Sequence, residues 1–496
     1  MKASIRVNKH YSIGKIDKRI YGSFIEHLGR AVYSGIYEPD HKQADENGFR
    51  KDVIALVKAV NVPIVRWPGG NFVSNYYWED GVGDKSKRPK RMECAWTAIE
   101  PNEVGIDEFQ AWAKTVNTEV MMAINLGTRG AADARNLLEY CNSTTDTYYA
   151  NMRKENGFIE PFHVKTWCLG NEMDGPWQMG HKTAEEYGRL AAETAKLMKL
   201  TDPDIELVVC GSSFYNMPTF GDWELTVLDH TYDYVDFISL HQYYDNNANN
   251  FAEFVGKSVH MDGFIKSVAA LCDAVKAKKH SNKTMYLSFD EWNVWFHSNG
   301  EKLEKWQIAP AQLEDIYTFE DALLVGCMLM TLQNNCDRVK MACLAQLVNV
   351  IAPIMTVKGG KAWAQPIYYP YLYAATCGKG ETLKTITECD GYKTSYAENV
   401  PYLESSVIHN EEKKEIVIFA VNRSLEEDMP LTLHFDGFNA CAPVEHVELY
   451  SEDLKAENSP EKENVSPVKK ELDAKAANSH TVTLKKHSWN MFTFRY

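Results

Sequence analysis

The sequence lacks the features that mark disulfide-stabilised, membrane-spanning and nucleic-acid-binding proteins. Its eleven cysteines are odd in number and show no Cys-x-x-Cys spacing, so we interpret them as free thiols of a reducing compartment. The longest apolar stretch, around residues 322–330, is well short of the roughly 20 residues that cross a bilayer. Acidic residues outnumber basic ones, and the net charge of -15 opposes binding to nucleic acids or anionic membranes.

Signals for export and for nucleotide binding are also missing. Residues 1–8 alternate polar and apolar side chains without the apolar segment of a secretory signal, so we expect a first strand and a cytoplasmic protein. Neither Gly256-Lys257-Ser258 nor Gly81-Val82-Gly83 is accompanied by the other glycines that a phosphate-binding loop needs. No nucleotide or other cofactor is expected.

Over most of its length the chain alternates apolar runs with helical segments. Its 496 residues, 45% of them hydrophobic, leave room for a barrel of about 250 residues and a second domain. Eight strand-like runs recur about every 40 residues, which predicts an α/β fold with parallel strands and crossover helices, the (β/α)8 TIM barrel. The runs lie at residues 20–25, 63–67, 120–125, 164–169, 206–210, 237–240, 285–289 and 341–345.

Helical segments lie between these runs. Residues 49–58 place their apolar side chains at helical spacing. Thr183 and Glu186, three residues apart, form the pattern of a capping box at the start of another helix. A further helix is predicted over residues 315–334.

The composition changes after about Gly380. Short alternating runs such as 415–421 and 431–435, divided by polar turns, predict a C-terminal β-sandwich of jelly-roll type. The first strand has no partner ahead of the barrel, so we expect it to join this sandwich. The predicted domains are residues 1–15 (the strand joining the sandwich), 16–380 (the catalytic barrel) and 381–496 (the sandwich). The polar segment 456–477 is interpreted as a solvated loop with no function of its own.

Two carboxylates follow two of the predicted barrel strands. Glu172 comes directly after the run 164–169, and Glu291 after the run 285–289. Active sites of such barrels lie at the carboxyl ends of the strands, so both groups are expected on one face. A pair of carboxyl groups there predicts acid/base and nucleophilic chemistry on a glycosidic bond.

Polar and aromatic residues at the other predicted strand ends suit a neutral, polyhydroxylated ligand such as a sugar. Asn171 is placed to bind the hydroxyl next to the anomeric carbon. The residues expected around the pocket are Glu26, His27, Arg66, Trp67, Asn71, Asn125, Asn171, Glu172, His241, Gln242, Tyr243, Glu291, Trp292 and Gln346.

Several of these residues have a structural interpretation as well. Glu26 alone can equally be a helix cap or an ion-pair partner. Gly69 and Gly70 can simply form a tight turn, with or without ligand binding by Asn71.

The same holds for the histidines and tryptophans. Trp96, Trp292 and Trp295 are either core aromatics or sugar-stacking residues. The histidines His27, His241 and His297 have no spacing typical of a metal site, so no metal is expected and all three are open to interpretation as core or rim residues.

In these motifs the sequence resembles the α-L-arabinofuranosidases of glycoside hydrolase family 51. The resemblance covers essentially the whole chain, and several motifs in the same order make it specific. The matching motifs are Tyr21-Gly22-Ser23-Phe24-Ile25-Glu26-His27, Arg66-Trp67-Pro68-Gly69-Gly70-Asn71-Phe72, Gly170-Asn171-Glu172-Met173-Asp174-Gly175-Pro176-Trp177, His241-Gln242-Tyr243-Tyr244, Asp290-Glu291-Trp292-Asn293-Val294-Trp295 and Ala345-Gln346-Leu347-Val348-Asn349.

The resemblance implies a retaining mechanism with Glu172 as the acid/base and Glu291 as the nucleophile. It also implies contacts to the arabinofuranosyl ring and aromatic residues near the leaving group. The implied ring contacts are Glu26, Asn71, Asn171, Tyr243 and Gln346, and the implied aromatic residues are Trp96 and Trp295. Relatives are commonly intracellular hexamers, so a homo-oligomer is expected.

The implied function is exo-hydrolysis of terminal α-L-arabinofuranosyl residues from arabinose-containing oligosaccharides or polysaccharides. A different retaining barrel glycosidase, such as a β-xylosidase or an endoglucanase, is the nearer alternative. A non-catalytic glycan-binding protein is the farther one, and the presence of both glutamates disfavours it. Preference among arabinan, arabinoxylan and short oligosaccharides depends on loops beyond the pocket.

Overall fold

A computed structural model describes residues 1–300, 302–472 and 475–496 of the chain. Eight parallel strands close into a barrel in which the first and eighth strands are neighbours. This confirms the predicted barrel and all eight predicted runs. In chain order the strands are Gly22–Phe24, Ile64–Trp67, Glu119–Ala123, Thr166–Leu169, Glu206–Val209, Phe237–Tyr244, Tyr286–Val294 and Val339–Ala345.

The sixth and seventh barrel strands extend beyond their predicted ends. The runs were predicted to stop at residues 240 and 289, where the apolar sequence ends, but pairing continues to Tyr244 and Val294. The added residues include polar side chains that are buried in the barrel mouth, such as His241 and Asp290. The change from apolar to polar sequence therefore does not coincide with the end of the strand. Glu291 therefore lies within a strand and not after it, which corrects the prediction from sequence.

Helices connect the barrel strands on the outside. The capping box at Thr183 is confirmed, because Thr183 Oγ1 accepts from the N–H of Glu186 at 3.3 Å and its own N–H donates to the Glu186 carboxylate at 3.0 Å. The helix predicted from residue 315 begins at Phe319, because Thr318 and Asp321 cap that position. The helices are Lys51–Val60, Ile106–Val116, Ala131–Asn142, Tyr148–Glu155, Ala184–Thr201, Asp222–Thr231, Phe251–Val255, Lys257–Lys278, Phe319–Asn334 and Tyr368–Cys377, with 3-10 turns at Lys18–Tyr21, Asn71–Asn75, Trp78–Gly81 and Lys85–Lys87.

The C-terminal region forms a nine-stranded, mainly antiparallel sheet that includes the N-terminal strand. That strand, Ala3–Lys15, pairs antiparallel with Glu381–Cys389 and parallel with Met429–Asp436, as the sequence predicted. The order across the sheet is Val468–Lys470, Ala442–Leu449, Ser488–Arg495, Glu415–Asn422, Leu403–Asn410, Glu381–Cys389, Ala3–Lys15, Met429–Asp436 and Ser479–Leu484. Shorter antiparallel pairs are Arg91–Glu93 with Ala98–Glu100, Ile354–Thr356 with Ala362–Ala364, and Gly391–Tyr392 with Val400–Pro401.

The large sheet folds over on itself into a sandwich. Phe435 and Phe494 lie on strands five positions apart in the sheet order, which in a flat sheet would separate them by roughly 24 Å at about 4.8 Å per strand. Their ring centroids are instead 5.0 Å apart, inside one buried cluster with Ile5, Leu433 and Ile418. The two halves of the sheet therefore enclose a common core.

Most described residues of the polar segment 456–477 are exposed, as expected of a solvated loop, but parts of the segment are fixed to the rest of the protein. The main-chain N–H of Phe319 donates to the carbonyl of Ala456 at 2.8 Å, and Asn458 and Val465 are buried. A short strand, Val468–Lys470, extends the sheet. Residues 473 and 474 of this segment lie outside the described residues. The segment thus fastens the C-terminal sheet to the barrel. Its polar side chains hydrogen-bond to main-chain groups, and the low apolar content of the segment does not reveal these bonds.

All eleven cysteines are free thiols, as their spacing predicted, and most of them are buried. The apolar stretch around residues 322–330 lies wholly inside the buried helix Phe319–Asn334. Within the described residues, none of the helices has both the length and the apolar character that crossing a bilayer requires.

Candidate active site

A cavity of about 620 Å³ opens at the carboxyl ends of the barrel strands. Of the nine residues that the sequence singled out as catalytic or ligand-binding, eight line this cavity. The ninth, Asn171, lies directly behind the wall. The lining residues are Glu26, Leu28, Gly70, Asn71, Ala95, Trp96, Glu172, Trp177, Ser213, Phe214, Gln242, Tyr243, Glu291, Trp295, Leu313, Gln346 and Ile351. Aromatic residues stand beside the carboxyl groups, since Trp96, Trp177 and Tyr243 each donate a hydrogen bond to one of them.

Glu291 projects from the seventh barrel strand and is held by two donors. Its Oε1 accepts from Arg66 at 2.7 Å, and its Oε2 accepts from the Tyr243 hydroxyl at 2.9 Å. Burial raises the pKa of Glu291, while the positive charges of His241 and Arg66 oppose that rise. Both oxygens are thus fixed in direction, which orients the carboxylate for attack on a bound ligand.

A β-bulge in the same strand explains how Glu291 reaches the cavity. Ser288 and Glu291 are three residues apart but face Ser239 and His241, which are two apart. Side chains alternate along a regular strand, whereas Asp290 and Glu291 both approach Arg66, with Asp290 Oδ2 3.9 Å from its Nε. The extra residue lets two consecutive carboxylates face the barrel interior.

Glu172 stands on the loop that follows the fourth barrel strand. Its φ angle of 43° is in the left-handed region that residues other than glycine seldom adopt. One carboxylate oxygen accepts from the indole N–H of Trp177 at 2.6 Å, and the other lies 3.0 Å from His241 Nδ1. Its side chain is 12% exposed, so it remains open to the cavity.

His241 joins the two sides of the site. Its Nε2 lies 2.9 Å from Asp290 Oδ1, and its Nδ1 is 3.0 Å from Glu172 and 3.7 Å from Glu291. Burial lowers the pKa of His241, but the surrounding carboxylates, Glu291 first, outweigh it and raise the pKa to about 10. The raised pKa favours the imidazolium form at neutral pH, which places a positive charge among three carboxyl groups.

Glu172, His241 and Glu291 also form a cluster whose ligand atoms lie within 4.8 Å of one another. Such a cluster could in principle hold a metal ion, but metal ligation requires a neutral imidazole with a free nitrogen. Both nitrogens of His241 already face carboxylate oxygens, and its raised pKa favours the protonated form. The imidazolium supplies the positive charge that a metal ion would otherwise bring.

Glu26 forms the opposite wall of the cavity. Its Oε1 accepts from the indole of Trp96 at 3.0 Å and from the main-chain N–H of Phe72 at 2.9 Å. Gln346 accepts from the N–H of Glu26 at 2.9 Å through its Oε1. Burial raises the pKa of Glu26 to about 8, and the charge of Glu291 adds to the rise.

The two asparagines meet beside Glu291. Asn171 Oδ1 accepts from Arg66 at 2.8 Å, so Arg66 bridges Asn171 and Glu291. The amide nitrogen of Asn171 is 3.5 Å from Asn71 Oδ1. Across the cavity Trp295 packs edge-on against Tyr243, with ring centroids 5.4 Å apart.

Other candidates lie outside the cavity and have structural partners. His27 stacks on Phe72 with centroids 4.8 Å apart and is 2.9 Å from Glu100 Oε2, so it is a satisfied core residue. Asn125 caps the turn after the third strand, where its Oδ1 accepts from the N–H of Gly127 at 3.1 Å. His297 pairs with Asp321, and Trp292 is fully buried.

Trp177 and Asp290 touch the reacting groups but were not among the residues expected around the pocket. Arg66 and His241 were expected there but were given no role. Arg66 and Asp290 are charged residues within apolar strands, where charges are seldom buried without a partner, and this signal could have identified their importance. His241 follows the apolar run 237–240 in the same way. Trp177 gave no signal, because only the folded loop brings its indole to Glu172.

Two sequence profiles match the chain. The α-L-arabinofuranosidase 1 domain matches residues 56–256, and the α-L-arabinofuranosidase C-terminal domain matches residues 290–488. The chain is 57% identical over 496 residues to an intracellular exo-α-(1→5)-L-arabinofuranosidase of Acetivibrio thermocellus, with 99% of each chain covered. It is 56% identical to the intracellular exo-α-(1→5)-L-arabinofuranosidase 1 of Bacillus subtilis, covering 100% of this chain and 99% of that protein.

Solved structures give the same result. A family 51 α-L-arabinofuranosidase from Bifidobacterium longum superposes with a TM-score of 0.95 at 42% identity, with 99% of each chain covered. The arabinose complex of α-L-arabinofuranosidase from Thermotoga maritima has a TM-score of 0.90 at 35% identity over 99% of each chain. Similarity of sequence and fold extends over the whole length, and the chain belongs to the α-L-arabinofuranosidases of glycoside hydrolase family 51.

Proposed function

We propose that this enzyme removes terminal non-reducing α-L-arabinofuranosyl residues by a retaining double displacement, with Glu291 as the nucleophile and Glu172 as the acid/base. The observation that carries the proposal is the close approach of the two groups, whose facing carboxylate oxygens lie within 4.8 Å. Retaining glycosidases hold their carboxyl groups about 5–5.5 Å apart, and inverting ones about 6.5–9.5 Å apart. The short separation supports a retaining rather than an inverting mechanism.

In the first step a Glu291 oxygen attacks the anomeric carbon while Glu172 protonates the departing glycosidic oxygen. The carbon–oxygen bond to the leaving group breaks as the ester bond to Glu291 forms, so the proton leaves with the alcohol. Arg66 and Tyr243 fix the Glu291 carboxylate in advance, which lowers the reorganisation needed for attack. His241 lies 3.0 Å from Glu172 and helps to fix the direction of its carboxyl group.

In the second step water replaces the leaving group. Glu172, now a carboxylate, removes a proton from that water as its oxygen attacks the anomeric carbon. The ester bond breaks, Glu291 regains its negative charge, and Glu172 is protonated for the next cycle. The Trp177 indole donates to Glu172 at 2.6 Å and stabilises the carboxylate form that this step requires.

Recognition of the sugar is assigned to the polar wall. Asn171 is fixed by Arg66 so that its amide nitrogen points toward Asn71, which suits a bond to the hydroxyl next to the anomeric carbon. Glu26 and Gln346 accept and donate hydrogen bonds to the ring hydroxyls beyond. Tyr243, Trp96 and Trp295 complete the wall, the two tryptophans on the leaving-group side.

For the substrate we propose α-(1→5)-linked arabino-oligosaccharides, because three relatives that are 56–57% identical to the chain all carry that specificity in their names. A relative from Bifidobacterium longum that is 47% identical is named an exo-α-(1→6)-L-arabinofuranosidase. Comparing arabinobioses of the two linkages measures this directly. A kcat/KM that favours the 1→6 isomer would contradict the proposed linkage.

Proton NMR of the first-formed product tests the mechanism. With 4-nitrophenyl α-L-arabinofuranoside the α-anomer of arabinose should appear first and then mutarotate. Initial formation of the β-anomer would remove Glu291 from the nucleophile role. A panel of nitrophenyl glycosides accompanies this test, and faster turnover of the β-xyloside than of the arabinofuranoside would replace the proposed activity with that of a β-xylosidase.

We also propose a cytoplasmic homo-oligomer, a hexamer by analogy with the family, whose catalytic barrel spans residues 16–380 between an N-terminal strand at 1–15 and a sandwich at 381–496. The word intracellular in the names of the relatives supports the location. Light scattering on the purified protein measures the oligomer size, and a monomer at micromolar concentration would contradict it. Proteolysis that cuts near residue 380 would support the boundary.

A further inference from the structure

Trp96 reaches the substrate cavity from a hairpin that stands outside the barrel. The hairpin consists of Arg91–Glu93 paired with Ala98–Glu100, and its turn, residues 94–97, carries Trp96 to Glu26. The loop that contains Trp306 runs along one side, where the Trp306 N–H donates to the carbonyl of Thr97 at 2.7 Å. The position of the indole thus depends on how firmly a surface turn is held.

A second cavity, of about 490 Å³, borders the hairpin. Tyr77, Met92 and Cys94 line it, and Met92 is 60% exposed. Side-chain packing gives the turn little support there, because a cavity supplies no neighbouring atoms. Some other interaction must fix the turn if Trp96 is to keep its place on Glu26.

Glu93, the last residue of the strand before the turn, provides that interaction. Its Oε1 accepts from the main-chain N–H of Ala95 at 2.8 Å, and its Oε2 accepts from the N–H of Trp96 at 2.7 Å. The two carboxylate oxygens therefore accept hydrogen bonds from two consecutive main-chain N–H groups. These bonds fix the orientation of the main chain at Trp96. Charge-assisted bonds of this kind are about twice as strong as neutral ones.

Glu93 is a buried carboxylate, and burying a charged group is energetically unfavourable. Glu93 is 4% exposed, and burial raises its pKa to about 7 despite the two N–H donors. The nearby carboxylate of Glu100 adds to the rise and His27 opposes it. A buried acid normally destabilises a fold unless it is well paired, and here its partners are the main chain of the turn.

We propose that Glu93 is a positioning residue of the active site, which holds Trp96 against Glu26 and thereby shapes the leaving-group side of the substrate cavity. The proposal rests on the proposed arabinofuranosidase function. Glu93 is not among the residues that line the substrate cavity, whereas Trp96 is, so Glu93 acts on the cavity through Trp96. Loss of its carboxylate frees the turn, so Trp96 leaves Glu26 and the substrate is bound less well.

A double-mutant cycle tests this with the variants Glu93→Ala, Trp96→Ala and the combination of both. With 4-nitrophenyl α-L-arabinofuranoside, each single variant should raise KM by about tenfold with a smaller change in kcat. The combined variant should lie within about twofold of Trp96→Ala, because residues that act as one unit are not additive. Glu93→Gln keeps the length and one acceptor oxygen, so its KM should lie between those of wild type and Glu93→Ala.

Asp84→Ala is the matched control, because the exposed Asp84 caps the N–H of Ser86 at 3.0 Å in a neighbouring turn that does not reach the cavity. Its KM should equal that of wild type. The proposal would be overturned if the KM increases of the two single variants multiplied in the combined variant. A wild-type KM in Glu93→Ala would overturn it as well. If Glu93→Ala does not fold, as judged by thermal unfolding, the cycle is run with Glu93→Gln and the same criteria apply. An inactive wild-type enzyme would instead contradict the proposed function, so the two failures are distinct.

Discussion

The seventh barrel strand and the loop after the fourth strand each supply one carboxylate, and they hold it in different ways. Glu291 lies in the middle of a paired strand, and its two oxygens are fixed by Arg66 and Tyr243. Glu172 lies on a loop with φ of 43° and is held by Trp177, whose own side chain is 47% exposed. The first carboxylate is enclosed by the barrel, and the second sits at the edge of solvent.

This difference matches the two tasks. A nucleophile attacks one carbon along one line, so a rigid strand and two donors suit it. An acid/base must donate a proton to one oxygen and later remove one from water, so it needs access to the leaving-group side. The left-handed backbone at Glu172 is unfavourable for a residue with a side chain, and its location at the cavity indicates that the strain serves the site.

Removal of the strand carboxylate should have the largest effect. Glu291→Ala should lower kcat for every arabinofuranoside by about 10,000-fold or more, because no covalent intermediate can form. Added azide should occupy the vacated space while Glu172 still protonates the leaving group, which yields arabinosyl azide of inverted configuration. Product NMR measures this, and an azide of retained configuration would exchange the roles of the two carboxylates.

Removal of the loop carboxylate should depend on the leaving group. Glu172→Ala should slow arabino-oligosaccharides by about 100- to 10,000-fold but affect the first step on activated aryl glycosides far less, since only poor leaving groups need the proton. With azide this variant should give the retained product, because the intermediate still forms on Glu291. Equal loss on both substrate classes would show that Glu172 is not the acid.

His241 joins the two regions, so its removal tests whether they act as one unit. His241→Asn should reduce kcat/KM by about 10- to 100-fold, the value of one or two charge-assisted hydrogen bonds. The pKa of His241 is raised from 6.5 to about 10 on folding, so its charge stabilises the fold fully below pH 6.5, and this stabilisation is lost as the pH rises to about 10.

Chemical unfolding of wild type and His241→Asn at several pH values measures this linkage. The difference in their free energies of unfolding should be largest below pH 6.5 and should shrink steadily toward pH 10. A difference that does not change over this range would mean that the imidazole is not protonated in the folded enzyme. His230→Asn is a suitable control, because His230 lies at the surface and pairs with Glu185 alone.

The smallest effect is expected from chelation. The imidazolium of His241 neutralises the carboxylates, so prolonged treatment with EDTA should leave kcat and KM unchanged. The measurement is activity before and after dialysis. A loss that one divalent ion restores would show that Glu172, His241 and Glu291 bind a metal ion.

Much of the fold was predictable because its signals are local. Each barrel strand is a short apolar run, and each turn or cap uses residues whose chemistry acts within a few positions, as Thr183 and Glu186 do. The attachment of the segment 456–477 to the barrel was not predictable because it depends on distant partners. The carbonyl of Ala456 accepts from the main-chain N–H of Phe319, which lies more than 130 residues away, and no local composition records this.

The sequence by itself determined the eight-stranded barrel, the sandwich that takes the first strand, the family, and the two glutamates as candidates. Only the tertiary structure decided how those glutamates are held. A bulge turns both Asp290 and Glu291 into the barrel, His241 lies between three carboxylates, and Glu93 ties a surface turn to the cavity. These features depend on the directions of side chains from separate strands and loops, and direction in space is fixed by packing and not by neighbours along the chain.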